Sequence, residues 1–198
     1  MALIGAGLAG KKKHPKKKFE FYPTPAPTTR SVLPLLHMCS FPKQLWECGA
    51  GKGHMSRVLR AGGYNVHDSD LIDRGIGAER IDFLKTREAR APAIVTNPPF
   101  TLAHDFLIHA FVILGIEHVA MLLSNNYWTA KERLALFNAY PPTLVCPMTW
   151  RIDITGDGAS TMMFQWIVWS VLAPRIAKPT YFFPLASSDK RPGDIHSQ

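Results

Sequence analysis

Gln44-Leu45-Trp46-Glu47-Cys48-Gly49-Ala50-Gly51-Lys52-Gly53 compresses a strand end, a tight turn and a helix start into one short stretch. Leu45 and Trp46 belong to an apolar run of strand length. The glycines that follow let the backbone turn sharply and approach a ligand closely. Met55, Val58 and Leu59 then recur at helical spacing, and Gly62-Gly63 closes that helix. Glu47, at the strand end, suits a ligand ammonium group. The stretch is not a P-loop, because Lys52 is followed by Gly53 and not by Ser or Thr.

Working outward, the same alternation of strand and helix repeats. Tyr64 to Asp68 and Ala93 to Thr96 read as strands, and His118 to Leu123 as a buried one. Phe106, Leu107, Ala110, Phe111 and Leu114 form one apolar helical face that ends at Gly115. Thr129 and Glu132 form a capping box opening a helix with Leu134, Leu136 and Phe137, which Pro141-Pro142 ends. Thr143 to Met148 and Met162 to Val171 are late strands joined through Gly156-Asp157-Gly158, with no helix between them. Upstream, Pro23, Pro25 and Pro27 hold residues 19–27 extended, and Thr28 caps a helix running to about His37, with Pro34 as a kink. The pattern predicts an α/β fold: a Rossmann-like, mostly parallel sheet with an antiparallel C-terminal strand pair and helices on both faces. The expected organisation is a basic arm over 1–18, a single domain over 19–184 and a flexible tail over 185–198.

Composition agrees with one globular domain. The chain has 198 residues, 46% of them hydrophobic and 11% aromatic, which excludes a disordered chain. No apolar run approaches the roughly 20 residues that span a bilayer. Met1 to Gly10 is apolar, but its basic cluster follows it instead of leading, against a signal peptide. Cys39, Cys48 and Cys146 are widely spaced, which argues against a disulfide framework or a cysteine-rich zinc site and suits a reducing cytoplasm. Gly5-Ala6-Gly7-Leu8-Ala9-Gly10 matches a dinucleotide fingerprint in letters only, since no full strand precedes it and lysines follow it. The net charge is +8, and Lys11, Lys12, Lys13, Lys16, Lys17 and Lys18 all precede the first acidic residue, Glu20. Such a run neutralises phosphates or simply solubilises; both readings stand on the run alone.

Two further pieces carry chemistry. Asp70 follows the strand ending near Asp68, where a carboxylate accepts both hydroxyls of a ribose; Asp68 and Asp73 compete for the role. Asn97-Pro98-Pro99-Phe100 follows the buried run Ala93 to Thr96. Two prolines stiffen the backbone and remove two donors. The Asn97 side chain and the Pro98 carbonyl remain as fixed acceptors, and Phe100 offers an aromatic face. That arrangement suits a planar amine.

Glu47 to Gly53, then Asp70, then Asn97 to Phe100, in that order, resembles the S-adenosylmethionine-dependent amino-methyltransferases. Phe21-Tyr22-Pro23-Thr24-Pro25 is similar to the upstream cofactor motif of the DNA N6-adenine methyltransferases, and Asp82-Phe83-Leu84 to that family's adenine-contacting segment. Trp46 to Leu84, with Asp73-Arg74-Gly75, resembles small phage- and prophage-borne members. The likeness covers roughly residues 19–172. It implies a class I methyltransferase fold with S-adenosyl-L-methionine as cofactor and DNA as partner, in a bacterial or phage-infected cytoplasm and without a membrane. It further implies that Phe21, Tyr22, Thr24, Glu47, Gly49, Gly51, Asp70, Asp82, Phe83 and Asn97 line the cofactor pocket, and that Asn97, Pro98, Pro99 and Phe100 hold the target base.

The residues expected to do the chemistry follow from the amine. An aromatic amine is a poor nucleophile, because its lone pair is delocalised into the ring. Accepting both of its protons, at the Asn97 side chain and the Pro98 carbonyl, draws the nitrogen toward sp³ and aims it at the methyl donor. Inside a duplex the amine is out of reach, so the base must flip, with Phe100 stacking on it. Cys146 precedes a proline, against a C5-cytosine nucleophile, and His104 and His109 lack a carboxylate-rich partner set, so no metal is expected. Trp166 and Trp169 point to opposite strand faces, one in the core and the other free to line the site. No recognition domain is inserted, so base reading falls to Asn126, Tyr127 and Trp128 and to the stretch from Arg151, with short or relaxed specificity. RNA is the alternative substrate, a protein glutamine amide a weaker one, and an inactive nucleic-acid-binding protein a different class.

Overall fold

The computed structural model describes residues 22–129, 133–153, 162–170 and 181–182. The lysine arm (Lys11, Lys12, Lys13, Lys16, Lys17, Lys18), Phe21, Glu132 of the capping box, the Gly156–Gly158 link and the 185–198 tail lie outside these residues.

Among the described residues, eight strands form one sheet: β1 (Gln44–Glu47), β2 (Asn65–Asp70), β3 (Glu79–Arg80), β4 (Ala93–Thr96), β5 (His118–Ser124), β6 (Leu144–Pro147), β7 (Phe164–Ser170) and β8 (Tyr181–Phe182). Their order is β3-β2-β1-β4-β5-β7-β6-β8. β1 pairs in parallel with β2 and β4, and β4 with β5. β7 runs antiparallel to both β5 and β6. The chain therefore has the Rossmann-like class I methyltransferase fold, with the expected parallel body and antiparallel C-terminal pair.

Period-2 alternation sorts the strand residues into two cores, one on each face of the sheet. Leu45, Val95, Ala120, Leu122, Trp166 and Val168 pack on one face, under α2 (Leu33–Met38) and α3 (His54–Ala61). Trp46, Ile94, Met121, Leu123, Ile167 and Trp169 pack on the other, under α4 (Ala103–Ile108) and α5 (Leu134–Ala139). β4 is buried along its whole length, as its uninterrupted apolar run requires of a central parallel strand.

Several expectations are corrected. The upstream helix is two pieces, α1 (Ala26–Arg30) and α2, and Thr28 is buried inside α1 instead of capping it. Pro25 stands at the cap, and Pro27 and Pro34 sit in the first turns, where a missing N–H costs nothing. β2 continues through Asp70, which therefore ends the strand and does not follow it. α4 passes into a π-helical turn over His109–Ile113 before Gly115 closes it at φ 62°. Trp166 and Trp169 do point to opposite faces, but both are buried: Trp166 Nε1 donates to the Thr28 carbonyl and Trp169 Nε1 to the Tyr140 carbonyl, each at 2.9 Å. Neither lines the site. Among the described residues, no helix is long and apolar enough to cross a membrane.

Candidate active site

Strand order reverses between β1 and β4, and in open α/β sheets a ligand crevice forms beyond the strand ends at such a point. A cavity of about 290 Å³ lies there, bounded by the ends of β1, β2 and β4 and by the segment Tyr22–Thr24.

Glu47 ends β1 on the cavity wall and is 1% exposed. Its Oε1 accepts the Thr96 hydroxyl at 2.5 Å and the Gly49 N–H at 3.2 Å. Burial pushes this carboxyl up to about 8, and its two donors only partly oppose that shift. Beside it, burial likewise raises the Cys48 thiol, which makes it inert as a nucleophile at neutral pH. A Cβ on Gly49 would stand 3.4 Å from Thr96 Oγ1 and 3.9 Å from Glu47 Oε1, in ordinary contact with that pair. Gly51 and Gly53 turn the chain into α3 at φ 55° and 72°.

Asp70 ends β2 on the same cavity. Its Oδ2 accepts from Gly51 N at 2.8 Å and its Oδ1 from Ile72 N at 3.0 Å. Each oxygen keeps a second lone pair, so the fixed carboxylate can still accept a pair of hydroxyls. Of the three competing carboxylates, Asp70 is the one that borders the cavity. Asp68 is paired with Arg60 at 2.7 Å, and Asp73 caps the exposed turn at Gly75 and Ile76. Neither borders the cavity.

Asp82 and Phe83 form part of the opposite wall. Phe83 is packed tightly, stacked on Phe106 with centroids 4.5 Å apart and edge-on to Trp46 and His109. Asp82 is salt-bridged to Lys85 at 3.0 Å.

Asn97, Pro98 and Pro99 border the cavity. The Asn97 Nδ2 donates to Thr24 Oγ1 at 3.1 Å and to the Tyr22 carbonyl at 3.5 Å. Its Oδ1 is buried and has no hydrogen-bond partner among the described residues. A buried amide oxygen left unsatisfied is costly, of order 1–3 kcal/mol, unless a ligand supplies the donor.

Phe100 departs from expectation. Its ring stacks on Tyr22 (5.2 Å, 14°) and tilts against buried Phe164 (5.6 Å, 39°), outside the cavity lining. Tyr22 is thus the cavity-facing member of this aromatic column. The loop after β5 is also corrected. Tyr127 is 3% exposed, under Arg133 at 4.0 Å from its ring, and burial raises its hydroxyl to about 12. Trp128 packs on Phe137 and donates Nε1 to Gln165 at 3.1 Å. Neither ring is free to wedge or stack; Asn126 and Arg151 are exposed. Sequence reasoning missed His54, Leu71, Ile72, Arg74 and Leu102 on the cavity wall. Leu71, 49% exposed directly after the acidic strand end, gave no signal in the sequence, since a single exposed Leu is ordinary.

No protein-family model matches the sequence, and no curated protein matches it. Solved structures do resemble it. A candidate RNA methyltransferase from Pyrococcus horikoshii superposes with a TM-score of 0.62 at 19% identity, covering 81% of this chain and 91% of that one. A candidate class I S-adenosylmethionine-dependent methyltransferase from Listeria monocytogenes gives 0.59 at 9% identity, over 82% and 65%. The methyltransferase subunit of a type I restriction-modification system from Streptococcus thermophilus gives 0.57 at 12% identity, over 82% of this chain and 47% of that one. The chain thus spans about half the length of the streptococcal subunit. At these identities the likeness establishes the fold.

Proposed function

We propose that the chain is an S-adenosyl-L-methionine-dependent methyltransferase acting on the exocyclic N6 of adenine in DNA. One observation carries the reading: the Asn97 Oδ1, buried on the cavity wall without a partner among the described residues, with its own amide nitrogen tied back to Tyr22 and Thr24. That atom is an acceptor waiting for an N–H. The cavity also fits the cofactor, since fixed Asp70 suits the ribose and buried Glu47, with no basic partner among its hydrogen bonds, suits an ammonium. Bound S-adenosylmethionine supplies an electrophilic methyl group.

The residues do the rest by position. Asn97 Oδ1 and the Pro98 carbonyl accept the two N6 protons, localise the lone pair on nitrogen and orient it for in-line attack. Pro99 holds that backbone rigid. Since Phe100 is already stacked, Tyr22 is the aromatic face on which a flipped base rests. The lysine arm adds salt-dependent, sequence-independent affinity. The streptococcal neighbour, from a restriction-modification system, favours DNA; the Pyrococcus neighbour, described as an RNA methyltransferase and matched over 91% of its length, favours RNA as the second reading.

Product analysis tests the proposal. The protein is incubated with labelled S-adenosylmethionine and, separately, duplex DNA, single-stranded DNA and RNA, followed by digestion and mass spectrometry of the nucleosides. N6-methyladenine from DNA is expected. Label in RNA alone replaces the substrate, and label in none of them overturns the nucleic-acid reading.

A further inference from the structure

His109 is a buried polar residue that the methyl-transfer geometry leaves unused. It sits among Phe106, Leu107, Ala110 and Phe111 and is 6% exposed. A buried imidazole needs a partner, and its Nε2 lies 2.9 Å from the Thr86 carbonyl. A carbonyl can only accept, so the ring carries a proton on Nε2 and donates it. The turn that opens at His109 is π-helical, closed by the Leu114 N–H on the His109 carbonyl at 3.0 Å, so the residue is held at its backbone as well. Thr86 ends a turn that begins at Asp82, whose carbonyl accepts the Lys85 and Thr86 N–H groups at 3.0 and 3.2 Å. Within that turn the Phe83 ring meets Trp46, Phe106 and His109. Trp46 gives its N–H to Ser69 Oγ at 2.7 Å, and a phenylalanine ring has none to give. His109 is thus the ring that both touches Phe83 and holds the backbone of its turn.

We propose that His109 is a positioning residue for the nucleobase end of the cofactor cavity, holding Asp82 and Phe83 where they select a base that bears an amine. This rests on the reading that the cavity takes S-adenosylmethionine with its ribose at Asp70. The Ile81 N–H donates to the Asp70 carbonyl at 3.0 Å, so the segment that follows leaves directly from the ribose site. A base attached to that ribose meets Ile81, Asp82, Phe83 and Leu84, all on the cavity wall. The apolar side chains suit its flat ring, and the Asp82 carboxylate accepts from an amine on its edge but repels a carbonyl there. These residues lie on a turn, outside the sheet ladder, so side chains must fasten them. The Asp82–Lys85 pair fastens little, because Lys85 is 82% exposed. The buried bond from His109 is the stronger hold.

The test compares full-length wild type with His109→Gln, which keeps an N–H donor, and His109→Phe, which keeps a ring without one. Exchange of the Lys85 and Thr86 amides is followed by NMR. Calorimetry gives the affinities for S-adenosylhomocysteine and for S-inosylhomocysteine, whose base carries a carbonyl where adenine carries its amine. Wild type is expected to prefer the adenosyl ligand. In His109→Phe the two amides should exchange about fivefold faster, as for one lost neutral hydrogen bond, and the preference should shrink by a similar factor. His109→Gln should restore most of both. Should His109→Phe fail to fold, His109→Leu is read by the same criteria. Unchanged exchange in the donor-less variant overturns the proposal, as does equal damage from His109→Gln. So does an affinity loss shared equally by the two ligands, which marks a general loosening. A wild type that binds neither ligand fails the cofactor reading, while the exchange measurement still decides whether His109 holds the turn.

Discussion

Thr96 donates its hydroxyl to Glu47 Oε1 at 2.5 Å, bridging the ends of neighbouring strands β1 and β4. The bond ties the glycine-loop motif to the Asn-Pro-Pro-Phe motif one residue beyond Thr96. It sits where both residues are essentially inaccessible to water. A carboxyl in that position prefers to keep its proton, and its value near 8 reflects burial first.

The linkage has a definite sign. Because the folded-state value lies above the ordinary 4.5, the folded protein holds a proton that the unfolded chain releases. Stability from this group is complete below about 4.5 and is lost as pH rises toward about 8. A cationic ligand reverses the preference, since an ammonium beside Glu47 stabilises the ionised form. Affinity for S-adenosylmethionine should therefore rise with pH up to about 8, by as much as about tenfold per unit. In Glu47→Gln the Glu47 contribution to that slope should vanish. Calorimetric titration across pH 6–8 checks this; an equal slope in the variant removes Glu47 from cofactor binding.

Asp70 and Asp68 separate a cofactor role from a structural one. Asp70→Ala removes a carboxylate held toward the cavity and also the acceptor of the Gly51 N–H. Losing two charge-assisted hydrogen bonds to a ribose should weaken cofactor binding by about 100-fold or more. Asp68→Ala breaks only the half-exposed pair with Arg60 and should leave affinity within about threefold, as exposed ion pairs are worth at most about 1 kcal/mol. Equal losses in the two variants would undo the assignment.

The lysine arm is tested through salt. Each phosphate neutralised contributes roughly −0.9 to the slope of log affinity against log salt on duplex DNA. Deleting residues 1–18 removes six lysines, so the slope should flatten by up to about 5 while cofactor affinity holds. An unchanged slope takes the arm out of nucleic-acid binding.

Much of this was legible in residue order. Ala93 to Thr96 is found with its expected bounds, because an apolar run between loop signals has few alternatives as a central strand. Glu47, Asp70 and Asn97 converge because each lies at a strand end, and parallel strands bring their ends to one edge. What stayed hidden depends on partners distant in sequence. β3 is only two residues, Glu79 and Arg80, paired with Ser69 and Asp70, and no periodicity marks it. Tyr127 looked like a loop aromatic until Arg133 and Phe137 closed over it. Phe100 reads as a free stacking ring, yet Tyr22, far upstream, already covers it. Which carboxylate borders the cavity was hidden too: Arg60 holds Asp68 away from it through a contact that spacing does not announce.

The account turns on the unpartnered oxygen of Asn97, and Asn97→Ala removes it together with the amide's bonds to Thr24 and Tyr22. Single-turnover methyl transfer to DNA and calorimetric cofactor affinity are measured on the same preparations of the variant and the wild type. The account predicts methyl transfer slowed by about 100-fold or more, as for loss of a preorganised transition-state contact, with cofactor affinity within about threefold. Wild-type transfer rates in Asn97→Ala would contradict it.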